Sequence, residues 1–332
     1  MSEKYETIVP SEPDAGERLQ WVSWLRSAAP YVHLHHGRTF VISFAGEVVA
    51  DRTLLNHLVM DVSLIASMGM RVVLVHGSRP QIEELMGLRK LEGQFYKGVR
   101  ITGPQELECV KEACGETRFD IEAAFSQGLP NTPMQHSRIK VVSGNFVTAR
   151  PMGIIDGVDY LHTGVVRKVD AESIQDLLSR GNIVLVSPTG FSPTGEAFNL
   201  TTEDVATAIA VAIRADKLIL SVGVDGVRVR GEKQQNLTAQ QAQALIQGKQ
   251  VDDEDVYNLG YALRAIKGGV DRVHIVPYAM DGGILTELFT HDGVGTMIST
   301  ENMESLREAT IDDVAAIVKL LEPFEAEGIL VK

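Results

Sequence analysis

Residues 72–81 read VVLVHGSRPQ, and this stretch is the strongest indication of the fold of the chain. Its first four residues are apolar and bulky, a run that is typical of a strand buried on both faces of a parallel sheet. His76 and Gly77 end the strand, and residues 80–86 begin a helix. The stretch therefore predicts a strand, a short turn and a helix, which are the first elements of a strand–helix–strand unit of a parallel sheet.

The same alternation of strand and helix continues on both sides of this stretch. Strands are predicted at residues 39–44, 139–142, 183–187, 217–222 and 272–276, and helices at residues 54–68, 105–124, 203–214 and 283–289. Such alternation predicts an α/β fold, a three-layer sandwich with a mainly parallel central sheet. Residues 146–150 and 160–169 read as hairpins added to that sheet. Ligands of such sheets lie beyond the carboxyl ends of the strands.

The N-terminal part is predicted to differ from the sandwich. Residues 1–16 are polar and read as a disordered tail, and residues 17–29 read as an amphipathic helix that ends at Pro30. Trp21 and Trp24 predict that this helix docks on something, either its own domain or a neighbouring subunit.

Three histidines, His33, His35 and His36, follow the helix. They could bind a metal ion, but no acidic or cysteine partner is near in sequence. We therefore interpret them as a polar loop before the first strand, and we predict no metal site.

Composition excludes several classes of function. The chain has 332 residues, 44% of them hydrophobic, and a formal net charge of −13 without a basic cluster, which argues against a nucleic-acid partner. The two cysteines, Cys109 and Cys114, have no second pair, so neither a disulfide framework nor a zinc site is expected. No apolar run is long enough for a membrane span, and the start of the chain is charged, so we expect a cytoplasmic protein.

The composition changes near residue 298. Residues 299–305 read as a linker, and residues 306–332, LREATIDDVAAIVKLLEPFEAEGILVK, start a new strand and helix. Thr310 and Asp313 resemble a helix-capping pair before an apolar-periodic run. A new element without enough residues for a core leads us to expect a truncated second domain.

Several segments carry a resemblance to the amino acid kinase family over residues 17–298. They are VVLVHGSRPQ at 72–81, the first strand and its turn at 39–46, GVRIT at 98–102, residues 199–210, residues 215–226 and the C-terminal stretch 268–298, in the order in which the family has them. The last stretch is similar to that of arginine-sensitive members. The resemblance implies the same sandwich and a nucleotide-side cleft.

The chain departs from that family where phosphoryl transfer needs positive charge. In kinases that it resembles, one lysine follows the first strand and a second stands near the nucleotide; here those positions are Ser43 and Asn258. Ser78 and Arg79 replace a flexible glycine loop. Without two cations facing a triphosphate, the transferring phosphoryl group loses its stabilisation. We therefore expect a vestigial kinase site, made of Ser43, Gly46, Gly77, Ser78, Arg79, Arg100, Asn199, Glu203 and Asn258.

Arg100 has two interpretations that the sequence leaves open. The resemblance implies an arginine that holds a substrate carboxylate, so Arg100 could be a remaining binding site. Alternatively, it is a structural remnant paired with Glu203 or Asp204.

The substituted motifs HGSRPQIEE and NLTTEDVATAIA resemble the kinase-like domain of bacterial N-acetylglutamate synthases, and residues 306–332 resemble the start of their GNAT acetyltransferase domain. The resemblance implies acetyl transfer from acetyl-CoA to L-glutamate, the first step of arginine biosynthesis. It also implies that acetyl-CoA, the substrate of the full-length enzyme, is not bound by this chain. No catalytic residue is expected within the chain.

The same resemblance implies that L-arginine binds as an allosteric effector at Tyr31, Lys217, His274, Glu287 and Gly293. A carboxylate such as Glu287 suits a guanidinium. From the residues alone, His274 would be a core histidine and Glu287 part of a solvated helix face. The resemblance also implies a homo-oligomer, a hexamer.

Three functions therefore compete at the sequence level. The first is an arginine-regulated acetyltransferase, the second an ATP-dependent N-acetylglutamate kinase, and the third an effector-binding module without chemistry. The missing lysines argue against the kinase, and the residues after 305 favour the acetyltransferase over the module.

Overall fold

A computed structural model of the chain describes residues 15–127 and 139–300. The predicted segment 306–332 lies outside these residues, as do residues 1–14 of the predicted tail and all of the predicted linker except residues 299 and 300. Ser299 itself is the last residue of a strand.

The described residues contain ten helices. They are α1 (Ala15–His35), α2 (Gly46–Ala50), α3 (Arg52–Ser67), α4 (Arg79–Leu88), α5 (Pro104–Ser126), α6 (Ala171–Ser179), α7 (Thr202–Ala212), α8 (Ala239–Gln247), α9 (Asp253–Lys267) and α10 (Gly283–Phe289). None of them is long and apolar enough to cross a membrane.

Eighteen strands accompany these helices in the described residues. They are β1 (Thr39–Phe44), β2 (Arg71–His76), β3 (Gln94–Tyr96), β4 (Val99–Ile101), β5 (Val141–Ser143), β6 (Val147–Pro151), β7 (Ile154–Ile155), β8 (Val158–Asp159), β9 (Gly164–Val169), β10 (Ile183–Val186), β11 (Thr189–Phe191), β12 (Ala197–Asn199), β13 (Lys217–Val222), β14 (Arg228–Val229), β15 (Glu232–Lys233), β16 (Asn236–Thr238), β17 (Arg272–Pro277) and β18 (Thr296–Ser299).

The central sheet has eight strands in the order β16-β18-β17-β13-β1-β2-β10-β5. Every neighbouring pair is parallel except β17 and β18, which run antiparallel. The predicted fold class, an α/β sandwich on a mainly parallel sheet, is therefore confirmed. The antiparallel β18 brings the loop after α10 back to β17. This places Gly293, in that loop, near His274 on β17.

Helices cover both faces of this sheet, which explains the uninterrupted apolar strands. Along β1, Val41 faces a core shared with α6, α7 and α9, whereas Phe40, Ile42 and Phe44 face a core shared with α3, α5 and α10. Alternate residues of one strand thus serve two separate cores, as the period of two in a strand requires.

The prediction that residues 146–150 and 160–169 are hairpins added to the central sheet is wrong. Strands β6 and β9 pair with each other in a separate four-stranded sheet of order β12-β11-β6-β9. The reason is that β11 and β12 follow β10 directly and capture β6 by parallel pairing. An alternating pattern shows that a strand exists but not which sheet it joins.

The predicted end of the N-terminal helix at Pro30 is also wrong, because α1 continues through Pro30 to His35. Proline removes a helical hydrogen bond and crowds the preceding turn. Packing of the last turn compensates: the imidazole of His35 is buried between Phe40 and Phe289 in edge-to-face contacts, and its Nε2 donates to the Leu288 carbonyl oxygen at 3.0 Å. His33 and His35 are therefore helical, and only His36 lies in the turn that follows.

Candidate functional site

The first group of predicted site residues forms a buried chain of polar side chains between β13, β17 and α10. The Lys217 ammonium donates to Nε2 of His274 at 3.0 Å, and Nδ1 of His274 donates to Oε1 of Glu287 at 2.6 Å. Lys217 and His274 lie on neighbouring parallel strands, which places their side chains on one face. The side chains of His274 and Glu287 are 4% and 5% exposed. We call these three residues the buried network.

Burial and hydrogen bonding determine the charges of the network. Burial, followed by the charge of Lys217, lowers the pKa of His274 to about 4, so the imidazole is neutral at pH 7. Burial and the nearby Arg272 lower the pKa of Lys217 to about 8. Burial alone would raise the pKa of Glu287, but hydrogen bonds from His274 and the loop amides outweigh it and lower that pKa to about 2. At neutral pH the network thus holds one cation, a neutral imidazole and one carboxylate.

The loop between α10 and β18 closes around the Glu287 carboxylate. Oε2 of Glu287 accepts the backbone N–H groups of Val294 at 2.7 Å and Gly295 at 2.9 Å. Gly293 has a φ of +61°, and a Cβ built on it would stand 2.5 Å from Oε2 of Glu287. Both the positive φ and this close approach require glycine here. The structure therefore brings Gly293 together with Lys217, His274 and Glu287.

Tyr31 lies on α1, which packs against α10. It is half-buried beside the apolar core that contains Leu288 and Phe289. Within the described residues, no hydrogen bond joins the Tyr31 hydroxyl to the buried network. The direct polar link between α1 and α10 is instead the bond from His35 to Leu288, next to Glu287, and the sequence reasoning missed it.

Gly295 is expected to be intolerant of any side chain. A Cβ on Gly295 would overlap the Ile275 carbonyl oxygen, and backbone atoms leave no rotamer that relieves the overlap. Gly295→Ala should therefore lower the free energy of unfolding by about 1–3 kcal/mol, the usual range for overpacking. Urea denaturation measures it.

Gly260→Ala, in α9, is the matched control. No atom lies within 4 Å of a Cβ built at Gly260, so removal of a helical glycine should raise the free energy of unfolding by about 0.5–1 kcal/mol. Equal stabilities for the two variants would contradict the close approach of Gly295 to β17.

The second group of predicted residues surrounds the loops after β1 and β2, where the family resemblance implies a phosphate cleft. The Gly77 amide donates to the Phe44 carbonyl oxygen at 2.7 Å, and a Cβ on Gly77 would lie 2.7 Å from the Gly46 nitrogen. The Gln81 side-chain amide donates to the Gly46 carbonyl oxygen at 2.9 Å. The two loops are therefore in direct contact. Ser43 is buried in β1 beside them.

Arg100 forms neither of the predicted pairs, so the proposed pairing with Glu203 or Asp204 is wrong. Its guanidinium donates to Oε1 of Glu83 on α4 at 3.2 Å and stands 4.6 Å over the ring of Phe95. Strand β4 belongs to the β3–β4 hairpin, which directs Arg100 to α4. Arg79 also pairs with Glu83, at 3.0 Å. Glu83 thus supplies the carboxylate to both arginines.

The remaining residues of this group lie on β12, α7 and α9. Asn199 donates to the Thr102 hydroxyl at 3.0 Å. The Glu203 carboxylate accepts the Tyr257 hydroxyl at 3.1 Å, and burial raises the pKa of Glu203. Asn258 is buried, and its Nδ2 has no hydrogen-bond partner among the described residues. The Glu203 carboxylate therefore holds a tyrosine on α9.

Ser78, the residue before α4, lies beside the buried His76, whose contacts were not predicted from the sequence. Nδ1 of His76 lies 3.1 Å from the Ser78 hydroxyl, and Nε2 lies 2.8 Å from the Ser187 hydroxyl. In the parts of the chain that the structure describes, no group of three or more His, Cys, Asp or Glu residues could hold a metal ion.

The sandwich and the loops of this cleft agree with a family comparison. The model of the amino acid kinase family matches residues 38–277, and the chain belongs to that family. A carbamate kinase from Giardia lamblia has the same fold, with a TM-score of 0.61 and 14% sequence identity over 80% of this chain.

Closer relatives narrow the assignment. The chain is 55% identical over 320 residues to the amino-acid acetyltransferase of Ralstonia nicotianae, a match that covers 96% of this chain and 71% of the relative. It is 48% identical to the amino-acid acetyltransferase of Ectopseudomonas mendocina, over 94% of this chain and 72% of the relative. The chain belongs to the amino-acid acetyltransferases, a family of acyltransferase enzymes.

Solved structures of N-acetylglutamate synthase from Neisseria gonorrhoeae are similar to this chain at 35% sequence identity. The complex with coenzyme A and N-acetyl-glutamate has a TM-score of 0.78, over 93% of this chain and 70% of that one. The complex with coenzyme A and L-arginine has a TM-score of 0.79, over 91% and 71%. Like the missing lysines, these matches favour an acetyltransferase over a kinase.

Proposed function

We propose that residues 17–298 form the L-arginine-binding regulatory domain of an enzyme that transfers an acetyl group from acetyl-CoA to L-glutamate. The observation that carries this proposal is the buried network with its loop, in which Lys217, His274, Glu287 and Gly293 converge. A cation and a carboxylate fixed on one rigid scaffold fit an effector that carries both charges.

The network offers each end of arginine a partner of opposite charge. The Glu287 carboxylate is ionised and can take a guanidinium in planar, two-bond geometry. The Lys217 ammonium lies at the other end of the network, on Nε2 of His274, and can take the carboxylate of the effector. Because Glu287 already accepts three hydrogen bonds, binding must loosen the loop at Val294 and Gly295 or use the remaining lone pair of the carboxylate. Loosening of this loop is our proposed first step of allosteric regulation.

Thermal melts test this proposal directly on the chain as it stands. A ligand that binds only the native state raises the melting temperature once its concentration exceeds the dissociation constant. L-Arginine should raise it, D-arginine less, and L-lysine less because an ammonium lacks the planar fork. Lys217→Met should reduce the L-arginine shift, whereas Lys111→Met, an exposed lysine on α5, should not. If L-arginine does not raise the melting temperature, the proposal that the buried network is the effector site is wrong.

The alternative activity is ATP-dependent phosphorylation of N-acetylglutamate. Its support is the family fold, and the substitutions at Ser43 and Asn258 oppose it. A coupled assay for ADP should show no release that depends on N-acetylglutamate. Steady release would reverse the choice between the two functions.

The exposed side of α1 supports assembly of the protein into a hexamer. Leu19, Trp21 and Trp24 are 72%, 61% and 50% exposed, an unusual apolar surface for one helix. Burial of this surface against a neighbouring subunit would remove it from water. Trp21→Ala with Trp24→Ala should lower the mass measured by light scattering, and Leu88→Ala, an exposed apolar residue on α4, should leave it unchanged. An unaltered mass in the double variant would reject α1 as an assembly element.

A further inference from the structure

A pocket of about 280 Å³ opens beyond the carboxyl ends of β5 and β10, next to α5. Its polar walls come from Arg118, Ser143, Asn145, Ser187 and Thr189, and Phe191 adds an aromatic side. The size is close to the lower end of small-molecule pockets, about 300 Å³. None of the predicted effector or kinase residues lines it.

Arg118 brings an incompletely used cation to this pocket. Its Nε is buried but has no hydrogen-bond partner among the described residues, although a buried donor without an acceptor is unfavourable. Nε forms an ion pair with Oε1 of Glu122, one turn along α5, but the separation of 3.6 Å is too long for a hydrogen bond. That oxygen already accepts the Ser143 hydroxyl at 2.7 Å. The guanidinium therefore retains capacity for an incoming anion.

Ser187 brings an acceptor to the same pocket. Nδ1 of His76 lies 3.1 Å from the Gly77 carbonyl oxygen, which can only accept, so we assign the proton of the neutral imidazole to Nδ1. Burial lowers the pKa of His76 to about 4, which keeps the imidazole neutral. Nε2 is then an acceptor, and the Ser187 hydroxyl donates to it at 2.8 Å. The lone pairs of Ser187 remain for a ligand that donates a hydrogen bond.

These groups together select a chemical class. The Arg118 guanidinium carries one positive charge, which Glu122 at 3.6 Å already balances in part, so an anion with two negative charges is disfavoured. Carboxylates match the guanidinium fork. A hydroxyl or amino group on the neighbouring carbon would supply the donor that Ser187 requires, and Phe191 offers an apolar surface to the remainder.

We propose that this pocket binds a small monocarboxylate that carries a hydroxyl or amino donor next to the carboxylate, with Arg118 holding the carboxylate and Ser187 accepting the donor. The pocket is separate from the buried network, so the test of this proposal does not depend on whether L-arginine binds the network.

Ligand-observed saturation-transfer NMR with three related probes tests the site. Mandelate, an aromatic hydroxy acid, should bind the full chain in the millimolar range. Mandelamide, which lacks the charge, and phenylacetate, which lacks the hydroxyl, should each bind at least tenfold more weakly. Phenylglycine in place of mandelate distinguishes an amino donor from a hydroxyl donor. Equal binding of mandelate and mandelamide, or no binding of mandelate and phenylglycine, would overturn the proposal.

Variants assign the binding to this pocket. Arg118→Met should weaken mandelate binding at least tenfold, and Ser187→Ala should abolish the preference for mandelate over phenylacetate. Lys111→Met removes an exposed cation from the same helix and should change neither result. Should Arg118→Met fail to fold, Arg118→Lys keeps the charge without the planar fork and should still weaken binding. Full binding by the folded arginine variant would overturn the assignment.

Discussion

Glu287→Ala is expected to lower the free energy of unfolding by about 3–5 kcal/mol, the usual effect of removing one partner from a buried charged pair. The change leaves the Nδ1–H of His274 and the amides of Val294 and Gly295 without their acceptor. It also deprives the buried Lys217 ammonium of the Glu287 charge, which favours its protonated form. Equilibrium denaturation in urea measures the loss, and the thermal shift with L-arginine should disappear in the same variant.

Two variants separate the charge from the shape of Glu287. Glu287→Gln keeps an oxygen that accepts hydrogen bonds and should destabilise less than alanine does. Asp292→Ala removes an exposed carboxylate from the same loop, where it pairs with His291 at the surface, and should change stability little. An alanine variant at Glu287 that is as stable as the Asp292 variant would show that the buried network contributes little to folding.

Acid is expected to destabilise the protein by roughly 2 kcal/mol per pH unit between pH 6 and 5. Burial is the main cause that lowers the pKa of His35, His76 and His274 to about 4. Because these histidines titrate near 6.5 when unfolded, the unfolded chain binds up to three more protons in this range, and stability present above pH 6.5 is lost as the pH falls toward 4. Burial, and then Asp281, raise the pKa of Asp61 to about 7, which opposes the loss by one proton. Fewer than two protons remain, at about 1.4 kcal/mol for each proton per pH unit.

A matched pair on α1 checks the origin of this slope. His35→Gln removes a buried histidine and should reduce the slope by about one proton, or 1.4 kcal/mol per pH unit. His33→Gln changes an exposed histidine on the same helix and should leave the slope unchanged. Urea denaturation at several pH values gives both numbers. Identical slopes for the two variants would show that His35 does not titrate differently in the folded and unfolded states.

Six of the eight strands of the central sheet were predicted from their apolar runs, whereas β16 and β18 were not predicted. In β13 the buried positions Leu218, Ile219 and Leu220 form such an apolar run, and this run was readable in the sequence. The four-stranded sheet was assigned to the wrong place because its strands carry only alternation, and alternation does not encode a partner. The end of α1 was missed because the tertiary packing of His35 overrides the local effect of Pro30.

Prediction of the site residues was likewise limited to what neighbouring residues in the sequence can show. Lys217, His274 and Glu287 came from resemblance, since nothing local in the sequence shows that a lysine in one strand meets a histidine in the next. The partners of Arg100 were predicted incorrectly because Glu83 is close in space through the β3–β4 hairpin. Its spacing of four from Arg79 on α4 was the available signal. His76 and Ser187 are 111 residues apart, so only the fold could join them.

The bond from His35 to the Leu288 carbonyl places α1 one residue from the carboxylate of Glu287. If α1 also packs against a neighbouring subunit, a change in that contact displaces the helix that carries Glu287. Thermodynamic reciprocity then applies: whatever factor assembly contributes to effector affinity, the effector contributes equally to assembly. Effector affinity would then vary with protein concentration, and dilution of the protein would itself act as a regulatory signal.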